Sequence, residues 1–235
     1  MLTPPEIARS LLAVGESKAR LPFGKMLLLA ILAGAYIALA GVGATAAAVT
    51  VESGSLAKLL SACVFPAGLS MVILAGSELF TGNCLIVMDV VGKKVTWFEC
   101  IRNLIVVYFS NLIGALIIDT LIYFSGNLDY TGGLLGAYAI KVAVGKVGIS
   151  PLKGITSGIL CNILVCIAIL MAAAATDIVG KIWAIFFPIM AFVVGGFEHC
   201  VANMFYIPVG MMAAQNPAYV AKAQEAYGLT AEDRK

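Results

Sequence analysis

The chain has 235 residues, of which 61% are apolar and 12% charged, and its formal net charge is +2. Such a composition excludes an ordinary soluble domain, and the absence of a dense basic tract excludes a nucleic-acid-binding protein. What remains is an all-α polytopic membrane protein, for which about 20 mostly apolar helical residues measure each crossing. The charged N-terminus and the late, long first apolar run do not form a cleavable leader pattern.

Residues Pro4 to Arg20 set Ile7, Leu11, Leu12 and Val14 against Glu6, Arg9, Glu16, Lys18 and Arg20, with Pro5 near the start. That pattern predicts an amphipathic helix on the membrane surface, within an interfacial segment 1–24. Met26 to Val49 is the first span, and Gly34, Gly41 and Gly43 in it permit close approach of a neighbour. Leu59 to Val91 is too long for one ordinary span and predicts a helix broken near Glu78 to Asn83, followed by a half-helix. Glu99 to Phe124 and Ile155 to Ala175 are the third and fourth spans, joined by a Gly-rich loop containing Asn127, Asp129, Gly132 and Gly133. Lys181 to Gly196 and Val201 to Met212 form a second broken span, so that residues 25–213 make a channel domain of five spans, the second and fifth broken. The segment 214–235 is polar, with a short helix expected from Ala218 to Tyr227 and a charged end at Lys235. Arg9, Lys18, Arg20, Lys25, Lys93, Lys94 and Arg102 flank one set of span ends and favour a cytoplasmic N-terminus. Lys58, Lys141, Lys146 and Lys153 then lie outside, where an anion-attracting vestibule would give them a purpose.

One signature occurs twice, 120 positions apart: Gly76-Ser77-Glu78-Leu79-Phe80-Thr81-Gly82-Asn83 and Gly196-Phe197-Glu198-His199-Cys200-Val201-Ala202-Asn203. Both read Gly-x-Glu-x-x-x-small-Asn, and both follow a Phe-Pro pair, Phe65-Pro66 and Phe187-Pro188. Polar, helix-weakening interruptions at matching places in two apolar halves mark the substrate pathway of a transporter with internal repeats.

His199 is the only histidine and falls inside the second interruption, at mid-membrane depth, where an ionisable group is a functional candidate. Its counterpart in the first copy is Leu79. Glu78 and Glu198 recur at equivalent sites and are expected to accept backbone N–H groups freed at the breaks. Thr81 and Asn162, short polar groups in apolar surroundings, are expected to bond one another or His199. Glu198-His199-Cys200 does not make a hydrolase or redox centre, since adjacent residues on a helix do not face each other; no enzyme is expected. The six cysteines, without close pairing, read as free thiols, and no cofactor or metal is expected. Asn216-Pro217-Ala218 spells a water-channel tripeptide, but once only and in the polar segment, where it reads as a turn.

The stretches Phe65-Pro66-Ala67-Gly68-Leu69 through Asn83, Cys161-Asn162-Ile163-Leu164-Val165-Cys166, and Gly196-Phe197-Glu198-His199 through Phe205 with Ile207-Pro208-x-Gly210 resemble, in order, the formate/nitrite transporter family. The resemblance implies an aquaporin-like inverted repeat in a homopentamer embedded in membrane lipid. Each subunit would have its own pore for a small monovalent anion or its conjugate acid. It also implies that His199 is the central pore histidine, with Thr81 and Asn162 near it and Lys146 a basic residue beside the pore. Phe65, Leu69, Leu79, Phe80 and Phe192 match the apolar constriction; Glu78, Glu198, Asn83 and Asn203 match the helix breaks. The family's sixth span has no counterpart after Met212, so a missing C-terminal segment is expected. The second signature looks most like the formate-handling branch; hydrosulfide, nitrite, lactate or a neutral solute are the alternatives. The implied location is the inner (plasma) membrane. The mechanism expected is an imidazolium at His199 that hands a proton to the anion; the alternative is a histidine that stays neutral and only offers an N–H.

Overall fold

The computed structural model describes residues 2–230, and within them the protein is helical throughout. The expected charged end at Lys235 lies outside the described residues. Among the described residues five helices are long and apolar enough to cross a membrane: Phe23–Ala48, Gly54–Ala75, Trp97–Phe124, Pro151–Ala174 and Ile178–Gly195.

The chain opens with α1 (Pro4–Ala19), started by a capping box in which Glu6 Oε2 accepts from Thr3 N at 2.7 Å. After α2 (Phe23–Ala48) comes the first broken span, α3 (Gly54–Val64) and α4 (Pro66–Ala75). Gly76 stops it in the left-handed region at φ 74°, where glycine carries no Cβ penalty. The chain is unwound over residues 76–79 and turns helical again at Phe80: α5 (Phe80–Asn83), a 3-10 turn and α6 (Val87–Val91) make one half-helix. The break thus begins two residues ahead of Glu78, the start of the expected interruption, because the glycine ends the helix and the polar side chains only dress the gap.

The long α7 (Trp97–Phe124) starts at a second capping box, Thr96 with Glu99, and packs along α2. Their axes come close enough that a Cβ built on Gly34 would collide with the carbonyl of Asn111, and one on Gly114 with that of Ile31. The stretch read as a loop between the third and fourth spans instead contains α8 (Leu134–Val147), too short to cross a membrane, packed on α11 and α12. Then follow α9 (Pro151–Ala174), α10 (Ile178–Gly195), α11 (Cys200–Ala213) and α12 (Pro217–Tyr227). Asn216 does not simply turn the chain: it caps α12, its side chain accepting from Ala218 N at 3.0 Å.

Three crossings separate the start of α2 from the start of α9, so the two halves run in opposite senses through the membrane: the repeat is inverted. The halves interlock. α5 of the first packs on α9 of the second, while α11 of the second packs on α2 and α7 of the first. Replacing Gly114 by Val should wedge α2 from α7 and lower stability by about 3 kcal/mol. Thermal unfolding in detergent should show a depressed Tm for Gly114→Val and an unchanged one for Gly24→Ala, whose surroundings are open.

Candidate functional site

The two interruptions have the same backbone. Gly76 and Gly196 end their helices at φ 74° and 71°, and the residues that begin the next helices, Leu79 and His199, have φ/ψ of −106/128° and −105/112°. Ser77 N donates to Val72 O at 2.9 Å, and Phe197 N to Phe192 O at 3.1 Å, so each helix closes with the same return bond. Even the anchoring matches in place: Glu78 N donates to Leu29 O at 3.2 Å, and Glu198 N to Ser157 Oγ at 2.9 Å.

The glutamates are held by side chains rather than by freed backbone N–H groups. Glu78 accepts from Lys18 Nζ at 2.8 Å and from Asn83 Nδ2 at 2.7 Å. Glu198 accepts from Lys146 Nζ at 2.8 Å on both oxygens and from Asn203 Nδ2 at 2.8 Å. The physical reason is reach: a glutamate side chain leaves the backbone gap behind and meets an ammonium, which neutralises the buried charge. The backbone is satisfied by Asn111 of α7, whose Oδ1 accepts from Phe80 N at 2.9 Å while its Nδ2 donates to Ala30 O at 2.7 Å and Glu78 O at 3.0 Å. Asn103 completes the first cluster, accepting from Asn83 Nδ2 at 2.8 Å and donating to Lys18 O at 2.9 Å.

Lys18 and Lys146 therefore play the same part, and each stands five residues ahead of the helix that opens its half, Phe23 or Pro151. The repeat extends further back than the signature: α1 and α8 are counterparts, each delivering one lysine to a break. Neither Lys18 nor Asn111 was singled out at the sequence level for this work. An asparagine amid an apolar span was the available signal for Asn111.

At the centre, His199 Nε2 lies 3.2 Å from Thr81 Oγ1, across the two halves, and His199 Nδ1 accepts from Ala202 N at 3.1 Å. The imidazole thus caps α11, a role its counterpart Leu79 cannot take. Accepting at Nδ1 leaves the ring's proton on Nε2, directed at Thr81. The ring stacks on Phe192 at 5.7 Å, and Phe192 meets Phe65 edge-on at 5.8 Å. Phe65, Leu69, Leu79 and Phe192 are buried, and Phe80 is half-buried against Tyr108. Asn162 does not join this pair: it is half-buried, and its Oδ1 has no partner.

Two cavities approach this waist. One of about 380 Å³ is lined by Lys18, Leu69, Glu78, Leu79, Asn83 and Lys181; the other, of about 180 Å³, by Lys58, Phe65, Lys146, Phe192, His199 and Asn203. A groove of about 1050 Å³ along α9 also reaches Thr81, Asn162 and His199. The matching face of α2 is covered by α7, whereas no described helix lies on this face of α9.

Two cavities flanking the junction of mirrored half-helices, only the smaller of which is lined by His199, suit a membrane channel. The formate/nitrite transporter family model matches residues 5–228, and the chain belongs to that family. It is 38% identical over 227 residues to a probable formate transporter of Methanothermobacter thermautotrophicus, covering 89% of this chain and 83% of that one. It is 34% identical over 215 residues to the formate channel FocA of Escherichia coli K12, covering 90% and 75%. Among solved structures, a pentameric formate channel with formate bound superposes with a TM-score of 0.80 at 33% identity, covering 90% of this chain and 86% of that one.

Asn111→Leu should leave Phe80 N–H and Glu78 C=O unpaired in the membrane interior, at a cost of about 3 kcal/mol. A lowered Tm together with lost solute flux is the expected result; wild-type flux in the variant would show that the first break holds without this amide.

Proposed function

We propose that this protein passes formate across the plasma membrane as one pore of a homopentamer, with a cytoplasmic N-terminus and His199 at the waist of each pore. The observation that carries the reading is the hydrogen-bonded pair of His199 and Thr81 across the junction of the two half-helices. The names borne by similar proteins point to the same solute. The orientation rests on basic residues gathered at one end: Arg20 bonds Lys94 O and Glu99, and Arg102 bonds Leu21 O.

Energetics decide the form in which the solute crosses. Taking a bare carboxylate from water into a medium of dielectric about 4 costs on the order of 20 kcal/mol by the Born estimate. Protonating an acid of pKa about 4 at pH 7 costs roughly 4 kcal/mol. The conjugate acid is therefore the species suited to the rings of Phe65, Phe192, Leu69 and Leu79. Of the two roles that the sequence leaves open for His199, the cap at Nδ1 favours the neutral one: a second proton there would evict Ala202 N–H, so a neutral ring offers Nε2–H, with Thr81, to the passing acid. Lys146 and Glu198, and Lys18 and Glu78, act as neutral supports of the breaks, while Asn162 Oδ1 remains free to receive a hydrogen bond from the solute.

Formate flux into proteoliposomes should then follow the conjugate-acid fraction, rising about tenfold for each unit of pH lowered from 8 to 5. His199→Asn, which keeps a capping acceptor and a donor, should retain that slope. His199→Phe, which keeps neither, should lose most of the flux. A further inflection in the wild-type pH profile that vanishes in His199→Asn would restore the proton-donating imidazolium. A panel with nitrite, hydrosulfide and lactate decides the solute: formate should move fastest.

A further inference from the structure

Each vestibule holds two lysines of different standing. Lys18 and Lys146 are engaged with the break glutamates at 2.8 Å, and an ammonium so neutralised presents an approaching ion with little net field. The second lysine is Lys58 in the outer cavity and Lys181 in the inner one. Among the described residues neither ammonium has a hydrogen bond or an ion pair. Lys58 Nζ lies against Gly196, where a Cβ would stand 2.8 Å from it.

The two unpaired lysines are related by the repeat, with a slip of one residue. Lys58 stands seven residues ahead of Phe65, and Lys181 six ahead of Phe187. Each rides the first turns of the helix that leads to one break, and so reaches the mouth beneath the other break: α3 brings Lys58 to Gly196 and Lys146, and α10 brings Lys181 to Gly76 and Lys18.

We propose that Lys58 and Lys181 are the anion-receiving groups of the outer and inner vestibules, holding a small monovalent carboxylate before it enters the apolar waist. The assignment deepens the transport reading above and rests on it. An unpaired cation in a concave, low-dielectric mouth concentrates counter-ions and is the group whose field salt would screen. Lys146, to serve instead, would have to abandon both oxygens of Glu198. The competing role for Lys58 is structural, a cation beside the carbonyl end of α10, which would affect stability but not the salt dependence of uptake.

The test measures formate uptake by right-side-out cells and by inverted membrane vesicles, at low and high ionic strength, with Tm recorded for each protein. Lys58→Gln should raise the half-saturating formate concentration about threefold when formate is presented outside and flatten its dependence on salt. The same variant should leave half-saturation from the inner face unchanged. Lys181→Gln should show the reverse sidedness, and Lys58→Arg should behave as wild type. Lys58→Met, which keeps the aliphatic stem, replaces the Gln variant if the latter melts early. A conducting Lys58 variant with wild-type half-saturation and salt dependence on the outer face overturns the assignment alone. Absence of formate flux in the wild type overturns the transport reading and the assignment with it.

Discussion

A helix that stops inside a hydrocarbon layer strands backbone N–H and C=O groups that water cannot reach, and the architecture of this protein follows from satisfying them. Each break is closed on one side by a left-handed glycine and its return bond. On the other side the two halves diverge: Asn111 reaches in from α7 to cap the first half-helix, and the side chain of His199 caps the second from within the signature itself. His199, the residue proposed for the waist of the pore, is thus also part of the scaffold. That double duty fixes the tautomer, and with it what the ring can offer a solute.

The same constraint explains why carboxylates recur in so apolar a protein. Glu78 and Glu198 are almost withdrawn from solvent, and each is matched by a lysine and an asparagine. Removing one member would leave a charge in a medium that does not tolerate it. The clusters therefore tie the short helices α1 and α8 to the breaks. Asp119 stands apart: it is buried on α7 with neither oxygen paired, and nothing in its surroundings explains it.

Much of this was legible in the amino-acid order. Long apolar runs announced the spans, and the duplicated Gly-x-Glu-x-x-x-small-Asn announced the breaks, because both signals are local. The first break begins at Gly76, before the polar residues that make it conspicuous in the sequence, because a left-handed glycine rather than polarity ends the helix. α8 escaped because its 14 residues are too few to cross and are preceded by turn glycines. The partnerships of Lys18 with Glu78 and of Asn111 with Phe80 join positions 60 and 31 apart, a kind of information that no periodicity carries. Asn162 shows the opposite case: its chemistry suggests a bond to the central pair, but it lines the groove beside Thr81 and His199 with its Oδ1 unpaired.

Leu79 and His199 occupy places whose backbone angles agree to within a degree in φ and sixteen in ψ, on scaffolds that run in opposite directions. At these two corners the backbone itself therefore carries almost none of the difference between the halves. What differs there is the side chain, an aromatic base at one corner and an aliphatic stub at the other, to which Asn111 and the cover of α7 over α2 add their own asymmetry.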